Sequence, residues 1–159
     1  MTDLAVVEKF AWQKMKEHGL FDEDVPWSFG WTNAKLQFGV CRYRTKTIYL
    51  SKPLTLLNTD EHVFDTVLHE IAHAIVGPGN GHGNLWKSVA WGIGARPERC
   101  AADDAVTPPA KWLGVCEEGC EIPRHRLSKR IKVGGARCAP HNLGIEWTTG
   151  LVPARVTVI

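Results

Sequence analysis

Three histidines and one glutamate in the middle of the chain have the types and spacing of a hydrolytic zinc site. His69 and His73 are four residues apart, so on a helix they stand one turn apart on one face and can reach a single ion. Glu70 is placed to accept a proton from a water whose pKa the zinc lowers to roughly 7. His82, in a Gly-His-Gly turn, supplies a third imidazole. The pattern predicts a zinc-dependent peptidase.

The segment from 58 to 76 has the periodicity of an amphipathic helix that would hold the first two histidines. Its apolar residues recur at steps of three and four and are Val63, Phe64, Val67, Leu68, Ile71 and Ile75. Asn58, Thr59 or Asp60 could cap its start, and the glycines and proline at 77–79 are expected to end it. The chain must then turn immediately before His82.

Other elements must surround this helix. The sequence predicts a helix over residues 3–18, a hairpin over 34–51 with its turn near 44–46, and a helix over 85–91. Trp86 and Trp91 belong to the last helix and are expected in the core. The residue that would stabilise an oxyanion is open between Tyr43, Tyr49 and Arg42.

The motifs HEIAHA at 69–74 and GHGNLWK at 81–87 resemble those of the SprT-like metallopeptidases, a family that includes the eukaryotic DNA-protein crosslink protease Spartan. The resemblance implies that His69, His73 and His82 bind a catalytic zinc and that Glu70 is the general base. It also implies an α+β fold, in which a zincin-like minimal metallopeptidase domain over residues 1–100 packs helices on a small, mainly antiparallel sheet.

Cysteines suggest a second metal site near the end of the chain. Their number, five, is odd, and the chain shows no export signal, so reduced thiols are expected. The pairs Cys116-x3-Cys120 and Cys138-x2-His141 have the layout of a small zinc ribbon whose zinc is structural. The alternative is a set of reduced buried cysteines in a small β unit. Cys41 and Cys100 are isolated.

A change of composition separates the two candidate sites. Small residues, two aspartates and Pro108-Pro109 over residues 101–110 indicate a linker, so residues 111–159 are expected to form a zinc-ribbon-like β module.

A concentrated basic stretch lies between the two metal-ligand pairs of that module. Its basic residues are Arg124, Arg126, Lys129, Arg130 and Lys132, in a chain whose net charge is only +2. Such a segment can bind DNA phosphates with little sequence preference. The alternative is a solvated hairpin that carries charge for solubility.

Composition indicates a small globular enzyme, since 44% of the 159 residues are hydrophobic and 23% are charged. Because no apolar run approaches eighteen residues and the N-terminus lacks a signal-peptide pattern, we expect a cytoplasmic monomer without membrane partners. In a bacterium it would associate with the nucleoid, and a phage-encoded protein would act in the host cytoplasm.

Hypotheses of two classes follow. The first is a zinc endopeptidase that acts on DNA-associated or DNA-crosslinked proteins, as the resemblance to Spartan implies. The second is a nucleic-acid-binding zinc protein whose peptidase-like domain is a scaffold without proteolytic activity. The intact Glu70 favours the first hypothesis, because a scaffold needs the histidines but not the base. A zinc peptidase without a nucleic-acid role is a third possibility.

Overall fold

The structure of the protein is a computed structural model that describes residues 2–98, 105–132 and 134–152. These residues form two compact units, the first ending at Thr107 and the second beginning at Pro108. Cys100, residues 101–104 of the expected linker and residues 153–159 of the expected C-terminal module lie outside the described residues. Within the described ranges, every helix is too short or too polar to cross a membrane.

The first unit alternates helices with short strands. In chain order its elements are α1 (Leu4–Glu17), β1 (Ser28–Thr32), β2 (Gly39–Arg42), β3 (Thr47–Ser51), α2 (Lys52–Leu57), α3 (Asp60–Val76) and α4 (Asn84–Gly92). The helices expected over 3–18, 58–76 and 85–91 are thus confirmed to within two residues. Helix α2 was not predicted; the Ser51 hydroxyl caps it by accepting a hydrogen bond from the Leu54 amide.

The sheet of the first unit is mixed, with β3 in the centre. Strands β2 and β3 form the expected antiparallel hairpin, although it begins at Gly39 rather than at residue 34. Strand β1 pairs with β3 in parallel, from Ser28 opposite Thr47 to Thr32 opposite Ser51. The prediction of a mainly antiparallel sheet is therefore wrong for this unit. The chain passes from β1 to the opposite edge before the hairpin returns β3 between them, which makes β1 and β3 run the same way.

Helix α3 packs against the sheet and against α1, and its buried stripe lies at the centre of the core. Fully buried side chains of this core are Val7, Ala11, Met15, Ile48, Leu50, Val63, Val67 and Ile71. The Thr59 hydroxyl caps α3 by accepting the His62 amide hydrogen at 3.4 Å. Gly77 ends the helix with φ of +78°, a conformation that favours glycine.

Helix α4 is anchored by one of its two tryptophans. Trp86 is fully buried, whereas Trp91 is 75% exposed, so the expectation that both lie in the core is wrong for Trp91. Five residues on a helix advance by about 500°, which turns Trp91 away from the face that carries Trp86.

The second unit is a small antiparallel sheet with one short helix. Its elements are β4 (Ala110–Val115), β5 (Glu121–Arg124), α5 (Lys129–Lys132) and β6 (Glu146–Val152), with β4 in the centre of the sheet. Helix α5 was not predicted and lies inside the basic stretch. Two small sheets combined with helices make the fold α+β, as expected.

Candidate active site and metal centres

The three histidines of the predicted catalytic site converge on one point. His69 and His73 lie on successive turns of α3, and the Nε2 atom of His82 is 3.0 Å from the Nε2 atoms of both. Zinc that is bound tetrahedrally at 2.0–2.1 Å would separate such nitrogens by about 3.3 Å. The residues therefore fit a single zinc ion, which would need only small adjustments of the rings.

The turn between α3 and α4 brings His82 to this point. The Asn80 side chain donates hydrogen bonds to the carbonyls of Val76 at 2.6 Å and of Gly77 at 3.3 Å. Gly81 has φ of +49°, and the Gly83 amide donates to the Asn80 carbonyl at 3.1 Å. These bonds fold the chain back on the end of α3 directly before His82.

Burial keeps two of the imidazoles neutral. It lowers the pKa of His69 to about 3 and that of His73 to about 4, with a further contribution from the neighbouring imidazoles. At neutral pH both rings therefore have a free nitrogen lone pair. A neutral imidazole is the form that binds a metal ion.

Glu70 lies on α3, and its side chain faces β2. It is 6% exposed, and its carboxylate accepts a hydrogen bond from the backbone amide of Cys41. Burial raises the pKa of this carboxyl to about 8, although the Cys41 amide acts in the opposite direction. A carboxyl in this range can both take up and release a proton near neutral pH.

Histidines and glutamate form one wall of a cleft of about 900 Å³, with residues 36–41 of β2 and the segment before it on the other side. Of the three oxyanion candidates, Tyr43 lines this cleft, and its hydroxyl donates to the His73 carbonyl at 3.1 Å. Burial raises the pKa of Tyr43 to about 12, so the hydroxyl keeps its proton. The Arg42 guanidinium lies instead over the Tyr49 ring, 5.3 Å from its centroid.

Two residues that contribute to this site were not predicted from the sequence to belong to it. Gly39 brings the backbone of β2 directly against the Glu70 side chain, and Trp86 packs against the three histidine rings. A glycine inside a strand is a known signal of close backbone approach, so Gly39 could have been suspected. The contacts of Trp86 depend on the turn between α3 and α4, for which the sequence offers no such signal.

The second unit brings the other predicted ligands together. The Sγ atoms of Cys116, Cys120 and Cys138 are 3.9, 3.4 and 3.8 Å from Nδ1 of His141. Sulfur and nitrogen atoms on one tetrahedral zinc would lie about 3.6 Å apart. Gly119, with φ of +76°, shapes the turn between the first two cysteines. The four residues fit a closed zinc site.

Protonation in this cluster is shared among its members. Burial by itself would raise the pKa of the Cys116 thiol. Its hydrogen bonds, of which the one with His141 has the largest effect, outweigh burial and lower the pKa to about 6. The neighbouring Cys138 and Cys116 thiols raise the pKa of Cys120 to about 11. The lowered pKa of Cys116 favours its thiolate, which is the form that binds a metal ion.

The five basic residues predicted to bind DNA are exposed. Arg124 ends β5, Arg126 follows it, and Lys129, Arg130 and Lys132 lie on α5. Five positive charges therefore lie within nine consecutive residues at the surface of this unit.

Comparison with known proteins gave one family. Neither the curated proteins nor the solved structures include a match to this chain. The model of the SprT-like family matches residues 7–105, more than half of the 159 residues, and this range contains the three histidines and Glu70. The family predicted from the sequence motifs is thus confirmed, and it implies a metallopeptidase-like fold. The chain belongs to the SprT-like family.

Proposed function

We propose that the protein is a zinc-dependent endopeptidase that cleaves DNA-associated or DNA-crosslinked proteins. The observation that carries the proposal is the convergence of the Nε2 atoms of His69, His73 and His82, 3.0 Å apart in two pairs, beside the buried Glu70 in the wall of a cleft. Open on one side, such a cleft can admit an extended peptide.

Zinc held by His69, His73 and His82 would supply Lewis acidity, which polarises a peptide carbonyl and makes a water molecule more acidic. Glu70 accepts the proton of the attacking water at its carboxylate. As the water oxygen bonds to the carbonyl carbon and the C–N bond breaks, Glu70 passes this proton to the leaving amine nitrogen. The Tyr43 hydroxyl lines the cleft and keeps its proton, so it is the preferred hydrogen-bond donor to the developing oxyanion once it releases the His73 carbonyl, to which it donates in this structure.

Strand β2 is the proposed docking edge for the substrate, because it lies at the edge of the sheet. The Phe38 carbonyl accepts the Ser51 amide hydrogen at 2.8 Å, so Phe38 and Val40 direct their backbone groups toward β3. By alternation, Gly39 and Cys41 direct theirs toward the cleft. An extended peptide can therefore pair with β2 near Gly39, whereas the Cys41 amide is already bound to Glu70.

The DNA part of the proposal is supported by charge. Five exposed basic residues lie in the unit that also carries the cysteine cluster. Their replacement by glutamate at Arg124, Arg126, Lys129 and Arg130 is expected to abolish most single-stranded DNA affinity and to flatten its dependence on salt. Lys9→Glu/Lys16→Glu on the exposed face of α1 is the control. DNA affinity that survives the first set of changes would show that this basic stretch is not the DNA site, and a wild type without DNA affinity would leave a zinc peptidase without a nucleic-acid role.

The test of the whole proposal is cleavage of a protein crosslinked to single-stranded DNA by the zinc-loaded wild type and by Glu70→Gln. We expect the wild type to cleave and the variant to lose at least about 100-fold in kcat, with zinc content and DNA affinity unchanged. DNA binding without cleavage by the wild type, with DNA of any form, would instead support a nucleic-acid-binding zinc protein on a peptidase-like scaffold.

A further inference from the structure

Gly39 and Glu70 approach each other more closely than any side chain at position 39 would allow. A Cβ atom built on Gly39 would lie 2.7 Å from both Cγ and Oε1 of Glu70 and 3.0 Å from its Cδ. Real Cβ atoms essentially never come within 3.0 Å of another heavy atom. The missing side chain of Gly39 is therefore what lets β2 and Glu70 occupy this arrangement.

The backbone conformation at position 39 does not require a glycine. Gly39 begins a regular extended strand and pairs with Leu50 of β3. Its φ lies outside the left-handed region that favours glycine, and a glycine inside a strand weakens the strand. Alanine at position 39 would thus be compatible with the strand and would collide only with Glu70.

We expect movement of the carboxylate to relieve the collision, because β2 is held in place by its pairing with β3. The crowded atoms include Cγ, near the root of the Glu70 side chain, so a rotation of the carboxylate tip alone would not suffice. Glu70 is almost fully buried, and its free side is the cleft. An added methyl group would therefore push the carboxylate into the cleft and away from the Cys41 amide that binds it.

We propose that Gly39 is a positioning residue for Glu70. Its close approach lets β2 hold the carboxylate of the general base in the position required for attack on a peptide that is paired with the same strand. This inference rests on the proposed peptidase function. Gly39 contributes no chemical group to the reaction. Because it has no side chain, the backbone of β2 can pack directly against the Glu70 carboxylate and restrict its movement. One strand would then align both the substrate and the base.

The experiment compares Gly39→Ala with Gly30→Ala in the zinc-loaded full chain. Gly30 lies in β1 of the same sheet, and its added Cβ would be 2.8 Å from the Tyr49 ring, so it is a crowded glycine without contact to Glu70. We expect Gly39→Ala to keep its zinc and to lose about 100-fold in kcat, as misplaced catalytic groups do, whereas Gly30→Ala keeps the wild-type kcat. Wild-type kcat in Gly39→Ala would overturn the proposal.

A second measurement tests the contact without proteolysis. The thermal midpoint of Gly39→Ala is expected to fall in the wild-type background but to stay equal or rise in a Glu70→Ala background, where the crowded atoms are gone. Gly30→Ala should shift the midpoint equally in both backgrounds. An equal loss from Gly39→Ala in both backgrounds would overturn the positioning role. Wild-type protein that is inactive on peptides but shows the predicted coupling would place the failure in the proposed function.

Discussion

The indole of Trp86 stacks on the imidazole of His73, with ring centroids 5.2 Å apart and planes inclined by 28°. Its centroid is also 4.6 Å from those of His69 and His82. Trp86 is fully buried, so this one side chain packs against all three candidate ligands from the protein interior. Helix α4 therefore does more than follow the third histidine, because it completes the packing around the three candidate metal ligands.

Truncation of this support should weaken both the fold and the site. Trp86→Ala is expected to lower the free energy of unfolding by about 3–5 kcal/mol and the zinc affinity by about 10–100-fold. Trp86→Phe should be milder, because the indole nitrogen has no hydrogen-bond partner among the described residues. Urea unfolding and competition with a chromophoric chelator measure the two effects.

Trp91→Ala is the matched control on the same helix, since Trp91 is 75% exposed. It should change the free energy of unfolding by less than about 0.5 kcal/mol. Equal losses from the changes at Trp86 and Trp91 would show that the contact with the histidines has no special role.

The buried carboxyl of Glu70 should make the metal-free protein less stable as the pH rises from 4.5 to about 8. Its pKa in the folded state, about 8 because of burial, is above the ordinary value of 4.5. Folding thus favours the neutral carboxyl, so this contribution to stability is complete below pH 4.5 and is lost as the pH rises toward 8. Over this pH interval the free energy of unfolding of Glu70→Gln should rise by about 1 kcal/mol or more relative to that of the wild type.

Denaturant unfolding of both chelator-treated proteins at several pH values measures this difference. His69 and His73 titrate in both proteins, so the comparison isolates Glu70. A difference between the two proteins that stays constant with pH would contradict the assignment of a raised pKa to the buried carboxyl.

The cysteines should differ in reactivity according to their surroundings. Burial, together with the neighbouring Glu70, raises the pKa of Cys41 to about 12. Cys116 is also buried, but its hydrogen bonds, above all the one with His141, lower its pKa to about 6. Iodoacetamide attacks the thiolate form. After zinc removal at pH 7, peptide mass spectrometry should show faster alkylation at Cys116 than at Cys41. Added zinc should protect Cys116, Cys120 and Cys138, and unprotected cluster thiols would argue against a metal site there.

Local patterns in the sequence were enough to predict the helix that carries His69 and His73. The apolar period of α3, its cap at Thr59 and its glycine end at Gly77 are all encoded within one segment. The two ligand clusters could likewise be proposed from spacing, because six of the seven ligands occur as pairs three or four residues apart in the sequence. These features need no knowledge of distant contacts.

The remaining features depend on how segments meet in space. The parallel pairing of β1 with β3 reflects a crossover that no residue type signals. Trp86 and Trp91 look alike in the sequence, and only the packing of α4 on α3 decides which is buried. The role of Gly39 likewise appears only when β2 is laid against Glu70.

The most direct test of the account is the zinc content per chain of the wild type, His69→Ala and Cys138→Ser, measured by elemental mass spectrometry. The histidine cluster and the cysteine cluster each fit one ion, so we expect two zinc ions in the wild type and one in each variant. A wild type with a single zinc that is lost only in Cys138→Ser would contradict the metallopeptidase site. A single zinc that is lost only in His69→Ala would keep that site and remove the second one.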